Sequence, residues 1–306
     1  GRIVFNIASP DSTGICVIMT GIDASHLITS FALVHSDNET AYNNGEVIDP
    51  DWFTKFGRFQ AYRFMDWWHT NQNTSTVYPT RQPAEALWGS TVPLEACVYL
   101  CNKANADAWF CVPSLVSDSI VTSLATRALS GTTDGLSRVW SGLNSNLNCY
   151  VEYYNELFNS FGFLPDTEMK ARGNARFPTA ASDSSAKFYY YYMRTAQTTN
   201  IWKDTWNDSS RVKRVQGMQL SSGATSNLGN VATDGGGLTF AANCHISSTT
   251  LTVDSGFSGT MFDAGGFGGQ LVSGSGVSPY TYIQSNIAGT GVGSTWTVNK
   301  SQTVGS

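Results

Sequence analysis

The sequence predicts a mixed α/β fold in which a parallel sheet with its helices is followed by a small all-β module. Two observations lead to this prediction. Strand-like and helix-like patterns alternate between residues 61 and 220, which is typical of a parallel sheet with right-handed crossovers. Beyond residue 220 the composition changes sharply, and short alternating runs are separated by Gly and Ser turns, as in small β proteins.

The elements of the α/β part follow from hydrophobic periodicity and from end signals. Strands are predicted at residues 61–66, 109–112, 149–154 and 212–220. One helix is predicted to begin at Pro93, a residue favoured at the first helical position. A second helix is predicted from its cap Ser117 to its stop at Gly131. A third, long helix is predicted over residues 185–206.

The C-terminal part is rich in glycine and poor in charge. It holds 17 of the 29 glycines, and its only charged residues are Asp234, Asp254, Asp263 and Lys300. Runs such as 249–253 and 295–298 alternate polar and apolar residues, which indicates short strands. The predicted organisation is a β-rich lead-in over residues 1–50, the α/β part over 51–220, a linker over 221–245 and the β module over 246–306.

Composition argues against several classes of partner. The formal net charge is -5 and charged residues make up 13 %, about half the usual share, so nucleic-acid binding is not expected. No run of about 18 apolar residues is present, so we expect no membrane insertion. No residue spacing indicates a metal site, and we expect no cofactor. The chain begins at Gly1 without an apolar leader, which we interpret as a processed product or part of a longer protein.

Six cysteines allow two interpretations. They are buried thiols that act as small hydrophobic residues, or some of them form disulfides, within or between chains, in an extracellular protein. Cys97 and Cys101 lie four residues apart in a helical pattern, whereas Cys111 and Cys149 lie in strand patterns.

Polar and aromatic residues follow the predicted strands at their carboxyl ends. Proteins in which such strands and helices close into a (β/α)-barrel bind their ligands at these ends. These residues are Asp66, Trp67, Trp68 and His69 after the first strand, and Asn155 and Glu156 after the third. Tryptophan faces suit the C–H groups of sugar rings. A carboxylic acid with a raised pKa can protonate a departing glycosidic oxygen. The sequence therefore predicts a carbohydrate site.

The segment around Asn155 and Glu156 resembles a known motif. Residues 150–159 (YVEYYNELFN) are similar to the strand-four motif of the large clan of retaining glycoside hydrolases whose acid/base is the Glu of an Asn-Glu pair. More narrowly, residues 50–220 resemble a family of bacterial and phage barrel proteins that are glycosidase-like or cellulose-binding. The further segments that carry this resemblance are 63–67 (RFMDW), 92–95 (VPLE), 107–113 (DAWFCVP), 194–197 (RTAQ) and 201–202 (IW).

This resemblance implies a partial or degenerate (β/α) TIM-type barrel. Glu156 would be the acid/base, and Asn155 would bind the sugar 2-hydroxyl. The other residues that it places at the substrate or in support of the rim are Arg63, Asp66, Trp67, Trp68 and His69.

The chain departs from the pattern in two ways. A retaining mechanism needs a second carboxylate about 5 Å from the first, and the only glutamate after Glu156 is Glu168. A full barrel needs about 250 residues, so its second half is expected to be absent. An open sheet edge would then be covered by the C-terminal module or by another subunit.

The C-terminal part has a resemblance of its own. Residues 251–253, 274–277 and 289–303 look like a small β module of phage virion and tail-associated proteins. Together the two resemblances imply an extracellular or virion location. They also imply other virion subunits or copies of the same chain as partners, and a cell-surface or environmental glycan as ligand.

Three functions follow. The favoured one is a virion-associated structural or adhesin protein on a degenerate glycosidase scaffold. The second is an active glycoside hydrolase, a polysaccharide depolymerase, with Glu156 as acid/base and a second carboxylate from Glu168, Asp66 or a neighbouring chain. The third is a carbohydrate-binding module that relies on Trp67.

Structural alternatives stand beside these roles. Glu156 would pair with Arg63 without chemistry, and the tryptophans would serve packing. Residues 189–192, four consecutive tyrosines, occupy all faces of a helix, which predicts a partly exposed packing surface for another chain or module.

Overall fold

The computed structural model divides into two compact units, residues 1–50 and 51–306. It describes Val4, Thr20, Asp23, Ser25 and residues 33–68, 70–72, 92–135, 137–157, 165–208, 210–217, 240–263 and 270–306. In the first unit, a 3-10 helix (Ser36–Asn38) leads into α1 (Glu39–Asn43). The first 32 residues of the predicted β-rich lead-in lie almost wholly outside the described residues, as does most of the predicted linker.

Helices and strands are interspersed between residues 50 and 215, and only strands follow among the described residues. The helices are α2 (Pro50–Phe56), α3 (Leu94–Ala104), α4 (Asp118–Ser130), α5 (Pro165–Arg176) and α6 (Asp183–Trp206). The strands are β1 (Ala61–Phe64), β2 (Asp107–Val112), β3 (Thr132–Thr133), β4 (Val139–Trp140), β5 (Cys149–Tyr153), β6 (Val212–Val215), β7 (Phe240–Gly259), β8 (Leu271–Val272), β9 (Thr281–Ala288) and β10 (Thr295–Val304).

β1, β2, β5 and β6 form a parallel sheet in which the strands lie side by side in chain order. Because crossovers between parallel strands are right-handed, this order places the connecting helices on one face. On that face Phe110 of β2 stacks with Phe64 of β1 and with Trp202 of α6, each at 5.6 Å between ring centroids. The predicted mixed α/β class with a parallel sheet is confirmed.

Most element ends match the sequence signals. Ser117 caps α4 through its Oγ, and Gly131 ends the helix with a φ of 72°. Pro93 precedes α3 as its N-cap residue and is not part of the first turn, because its ψ of 149° is extended. β1 ends at Phe64, earlier than predicted, because Asp66–Trp68 turns into a 3-10 helix.

The tyrosine run of α6 is packed inside the chain. Tyr190, Tyr191 and Tyr192 are buried in a cluster that includes Tyr153 of β5 and Met169 of α5. Of the surface that was predicted to be partly exposed, only Tyr189 is partly exposed, because α5 packs along α6 within the same chain.

The C-terminal strands form an antiparallel sheet in the order β7-β10-β9-β8. Its core residues are Leu251, Val253, Ile283, Trp296 and Val298. β7 begins at Phe240 and curls strongly, since His245 Nδ1 and Asp254 Oδ1 lie 2.8 Å apart. The same nine-residue separation in a straight strand would span roughly 30 Å. The predicted all-β character of this part is confirmed.

Polar contacts join the C-terminal sheet to the helices α4 and α6. Gln284 Nε2 donates to Asp118 Oδ2 at 3.2 Å, and Lys300 Nζ pairs with Asp204 at 2.8 Å. Asp118 also accepts from Arg194 Nη2 at 2.7 Å, and Arg194 is only 1 % exposed. The buried charge of Arg194 is tolerated only when it is paired, so Asp118 is held in place. The hydrogen bond from Gln284 therefore has a fixed acceptor.

Gly173 provides the first testable prediction. A Cβ at this position of α5 would lie 2.5 Å from the backbone carbonyl of Ala186 in α6, so Gly173→Ala has to push the helices apart. We expect a loss of about 1–3 kcal/mol in the free energy of unfolding, measured by chemical denaturation. The control is Gly305→Ala, where a Cβ meets nothing within 4 Å. Equal stability of both variants would contradict the close helix contact.

Candidate functional site

Charged and polar side chains meet near the carboxyl ends of β1, β2 and β5. Arg63 of β1 lies opposite Trp109 of β2, and Cys111 of β2 lies opposite Glu152 of β5. Side chains of neighbouring parallel strands at paired positions share a face, and alternate residues point to opposite faces. These four residues therefore lie on the sheet face away from Phe110, which packs against the helix α6.

Glu152 is the buried acceptor at the centre of this cluster. It is 3 % exposed. Its Oε2 accepts from Arg63 Nε at 3.0 Å and Nη2 at 2.8 Å, from Trp109 Nε1 at 2.8 Å and from Cys111 Sγ at 3.2 Å. Donors from β1 and β2 thus compensate the burial of the carboxylate.

Asn155 is held by the same arginine. Its Oδ1 accepts from Arg63 Nη2 at 2.7 Å, and its Nδ2 donates to Asn71 Oδ1 at 3.0 Å. Tyr154 donates its hydroxyl to the backbone oxygen of Asn71 at 2.9 Å. The segment after β5 is thereby fastened to the segment after β1.

The backbone after β5 is strained. Tyr154 has a φ of 65° and Glu156 a φ of 50°, in the left-handed region that residues with a Cβ rarely adopt. Tyr154 is fully buried, and its N–H donates to the carbonyl of Val112 at 2.7 Å, which continues the strand pairing. Glu156, by contrast, is exposed.

Electrostatics at the cluster keep Arg63 charged and Cys111 neutral. Burial lowers the pKa of Arg63, but the neighbouring Cys111 and Glu152, with Glu156, outweigh burial and raise that pKa. Burial raises the pKa of the Cys111 thiol, the charge of Glu152 raises it further, and Arg63 offsets only part of this. The thiol therefore stays protonated at neutral pH and is not a nucleophile.

The residues predicted after β1 are placed differently from one another. Trp67 is half-buried, with its ring 6.3 Å from Trp52 and 5.4 Å from Phe64. Trp68 is 1 % exposed and stacks on Phe110 at 5.1 Å, so it belongs to the core and offers no face to a ligand. Asp66 is exposed at the start of its 3-10 helix. His69 lies outside the described residues.

Of the predicted residues, Arg63 and Asn155 are brought together, whereas the ion pair of Arg63 is with Glu152 and not with Glu156. The sequence reasoning missed Glu152 as a partner. The available signal was a single charged residue within each of two otherwise apolar strands, Arg63 in β1 and Glu152 in β5. Two such residues of opposite charge indicate a buried pair across the sheet.

Other features of the described residues add no second chemical site. The described cysteines are free thiols, of which Cys97, Cys101, Cys111 and Cys149 are buried. Within the described ranges no group of three or more His, Cys, Asp or Glu side chains is placed to hold a metal ion. No described helix is long and apolar enough to cross a membrane. A groove of about 430 Å³ is lined by Tyr99, Asn102, Lys103, Arg138, Val139, Trp140, Ser141 and Asn144, none of them a predicted site residue.

In comparisons with known proteins, no family model, no curated protein and no solved structure matches the chain.

The Arg63–Glu152 pair provides a second prediction. Arg63→Met leaves a buried carboxylate without its cation, and we expect a loss of about 2–4 kcal/mol in the free energy of unfolding. In a double-mutant cycle, adding Glu152→Gln recovers part of that loss, because the uncompensated charge is removed. The control is Lys170→Met, which removes a solvent-screened pair with Asp166 on the helix surface and should change stability far less. Strictly additive effects of the two cluster substitutions would show that the pair is not coupled.

Proposed function

We propose that this chain is a non-hydrolytic, glycan-binding structural or adhesin protein of a phage particle, built on a partial glycoside-hydrolase-type barrel. The observation that carries the proposal is the hydrogen bonding of the Asn155 side chain. In the enzymes that residues 150–159 resemble, the Asn of the Asn-Glu pair binds the sugar 2-hydroxyl. Here both ends of the Asn155 amide bind the protein itself, through Arg63 and Asn71.

The strand order supports the barrel-type part of the proposal. In a (β/α)-barrel, successive strands are neighbours and the helices form one outer layer. β1, β2, β5 and β6 are neighbours in that same order, and α6 packs on one face of their sheet. A doubly wound sheet, in contrast, reverses its strand order at a switch point.

The surroundings of the two carboxylates Glu152 and Glu156 support the proposal that the chain does not hydrolyse glycans. A retaining glycosidase needs a nucleophile that can reach the sugar and an acid/base about 5 Å from it. Glu152 is 3 % exposed and its Oε2 accepts from Arg63, Trp109 and Cys111, which does not suit a nucleophile that must reach a sugar. Glu156 is exposed, whereas the catalytic acid of a glycosidase sits in a partly buried, apolar pocket.

The location and the partners rest on the resemblance of the C-terminal β module to phage virion proteins. We accordingly propose a virion, extracellular location, with other virion subunits or copies of this chain as partners. The ligand is a cell-surface or environmental glycan.

One observation favours an active hydrolase as a second candidate. Backbone strain concentrates at active sites, and both Tyr154 and Glu156 are strained after β5. In that case Glu156 acts as acid/base, and its partner carboxylate comes from Asp66, Glu168 or another chain.

One experiment separates the two candidates. The full chain is incubated with a panel of bacterial surface polysaccharides, and retention in affinity gels and release of reducing ends are measured on the same samples. We expect retention on at least one polysaccharide without reducing ends above the rate of heat-denatured protein. Release that Glu156→Gln abolishes would establish the hydrolase and overturn the proposal. Absence of retention on every polysaccharide would also overturn it.

A further inference from the structure

Four side chains form a row across the parallel sheet, one from each strand. Arg63 of β1 lies opposite Trp109 of β2, which lies opposite Tyr150 of β5, which lies opposite Lys213 of β6. Three of them are in contact: the Arg63 Cζ is 5.2 Å from the Trp109 ring, and the Trp109 and Tyr150 ring centroids are 5.9 Å apart. Across the sheet, two aromatic side chains therefore lie between two cationic ones.

This row lies on the sheet face opposite to the one on which the described helix α6 packs. Parallel sheets are normally buried on both faces. Here Trp109 and Tyr150 are only partly buried, Lys213 is exposed, and the Arg63 side chain is 34 % exposed. Two adjacent aromatic rings with solvent access, flanked by charges, make a platform that a flat, partly polar ligand can contact.

Both cations keep donors for a ligand. Arg63 uses Nε and Nη2 for Glu152 and Asn155, while its Nη1 donates to no group among the described residues. The Lys213 side chain likewise makes no hydrogen bond or ion pair within the described part of the chain, whereas its backbone belongs to the strand pairing with β5. Because Glu152 anchors Arg63, the guanidinium is already oriented before a ligand binds.

We infer that this row binds an anionic saccharide chain that lies across the strands, which names the ligand class of the glycan-binding function proposed above and rests on it. Sugar rings stack their C–H faces on Trp109 and Tyr150. Carboxylate groups of the saccharide pair with Arg63 Nη1 at one end and with Lys213 Nζ at the other.

The spacing and the charge balance favour a sparsely charged glycan over a nucleic acid. Three interstrand steps of about 4.8 Å separate the backbones of the two cationic residues by roughly 14 Å, and the row holds only these two cations. Nucleic acids carry phosphates far more densely than this row carries cations. Glu152 and Glu156 lie near Arg63, and the chain has a net charge of -5, so a dense polyanion meets repulsion.

The test is calorimetric titration of the full chain with a galacturonate hexasaccharide and with its fully methyl-esterified, neutral form. We expect the acid form to bind about tenfold more tightly, with an advantage that falls as salt rises, because two exposed ion pairs supply it. Lys213→Gln should remove about half of this advantage on a logarithmic scale and leave the ester unaffected. Tyr150→Leu should weaken both forms by about tenfold.

Arg214→Gln is the matched control, because Arg214 is the next residue of β6 and its side chain bonds Asn200 of α6 on the helix side. It should leave both affinities unchanged. Thermal melts of all variants check that the fold is kept. Equal binding of acid and ester, or an equal effect of the two β6 substitutions, would overturn the row as an anionic-saccharide site while glycan binding itself stands. Binding of a single-stranded oligonucleotide but of no saccharide would overturn both proposals.

Discussion

The ion pair between Arg63 and Glu152 spans the second strand of the parallel sheet, from β1 to β5, and Trp109 of that strand donates to the same carboxylate. A buried carboxylate without these donors would cost several kcal/mol. The register of three strands is therefore tied to one side chain. Asn155 follows from it, because the arginine that holds Glu152 also holds the Asn155 amide.

Charges are few in this chain, and several are used in pairs that join different elements. Arg127 of α4 pairs with Glu95 of α3 at 2.7 Å, and Arg194 of α6 pairs with Asp118 of α4 at 2.7 Å. A packing that mismatched these helices would leave a charge unpaired in the core. The pairs thus select one arrangement of helices and sheet, and Asp118 extends this selection to the C-terminal sheet through Gln284.

The helices and strands that local pattern predicted between residues 61 and 215 are present, whereas contacts that depend on strand register were not predicted. Ser117 and Gly131 mark the ends of α4 because capping is a local property. Trp67 and Trp68 are adjacent residues of the same type, so the sequence pattern does not distinguish them. The geometry of the 3-10 turn places Trp68 in the core. The motif around residue 156 indicated Glu156 as the important carboxylate. The buried carboxylate is Glu152, because strand pairing decides which glutamate lies close to Arg63.

The central claim is that the Arg63, Glu152 and Asn155 cluster is structural and that a glycan contacts the sheet face beside it. The most direct measurement is a crystal structure of the full chain with a bound oligosaccharide. The account predicts sugar rings over Trp109 and Tyr150, with the Arg63–Glu152 pair and both Asn155 hydrogen bonds intact. A sugar seated between Asn155 and Glu156, with the Asn155 amide turned to a sugar hydroxyl, would contradict it.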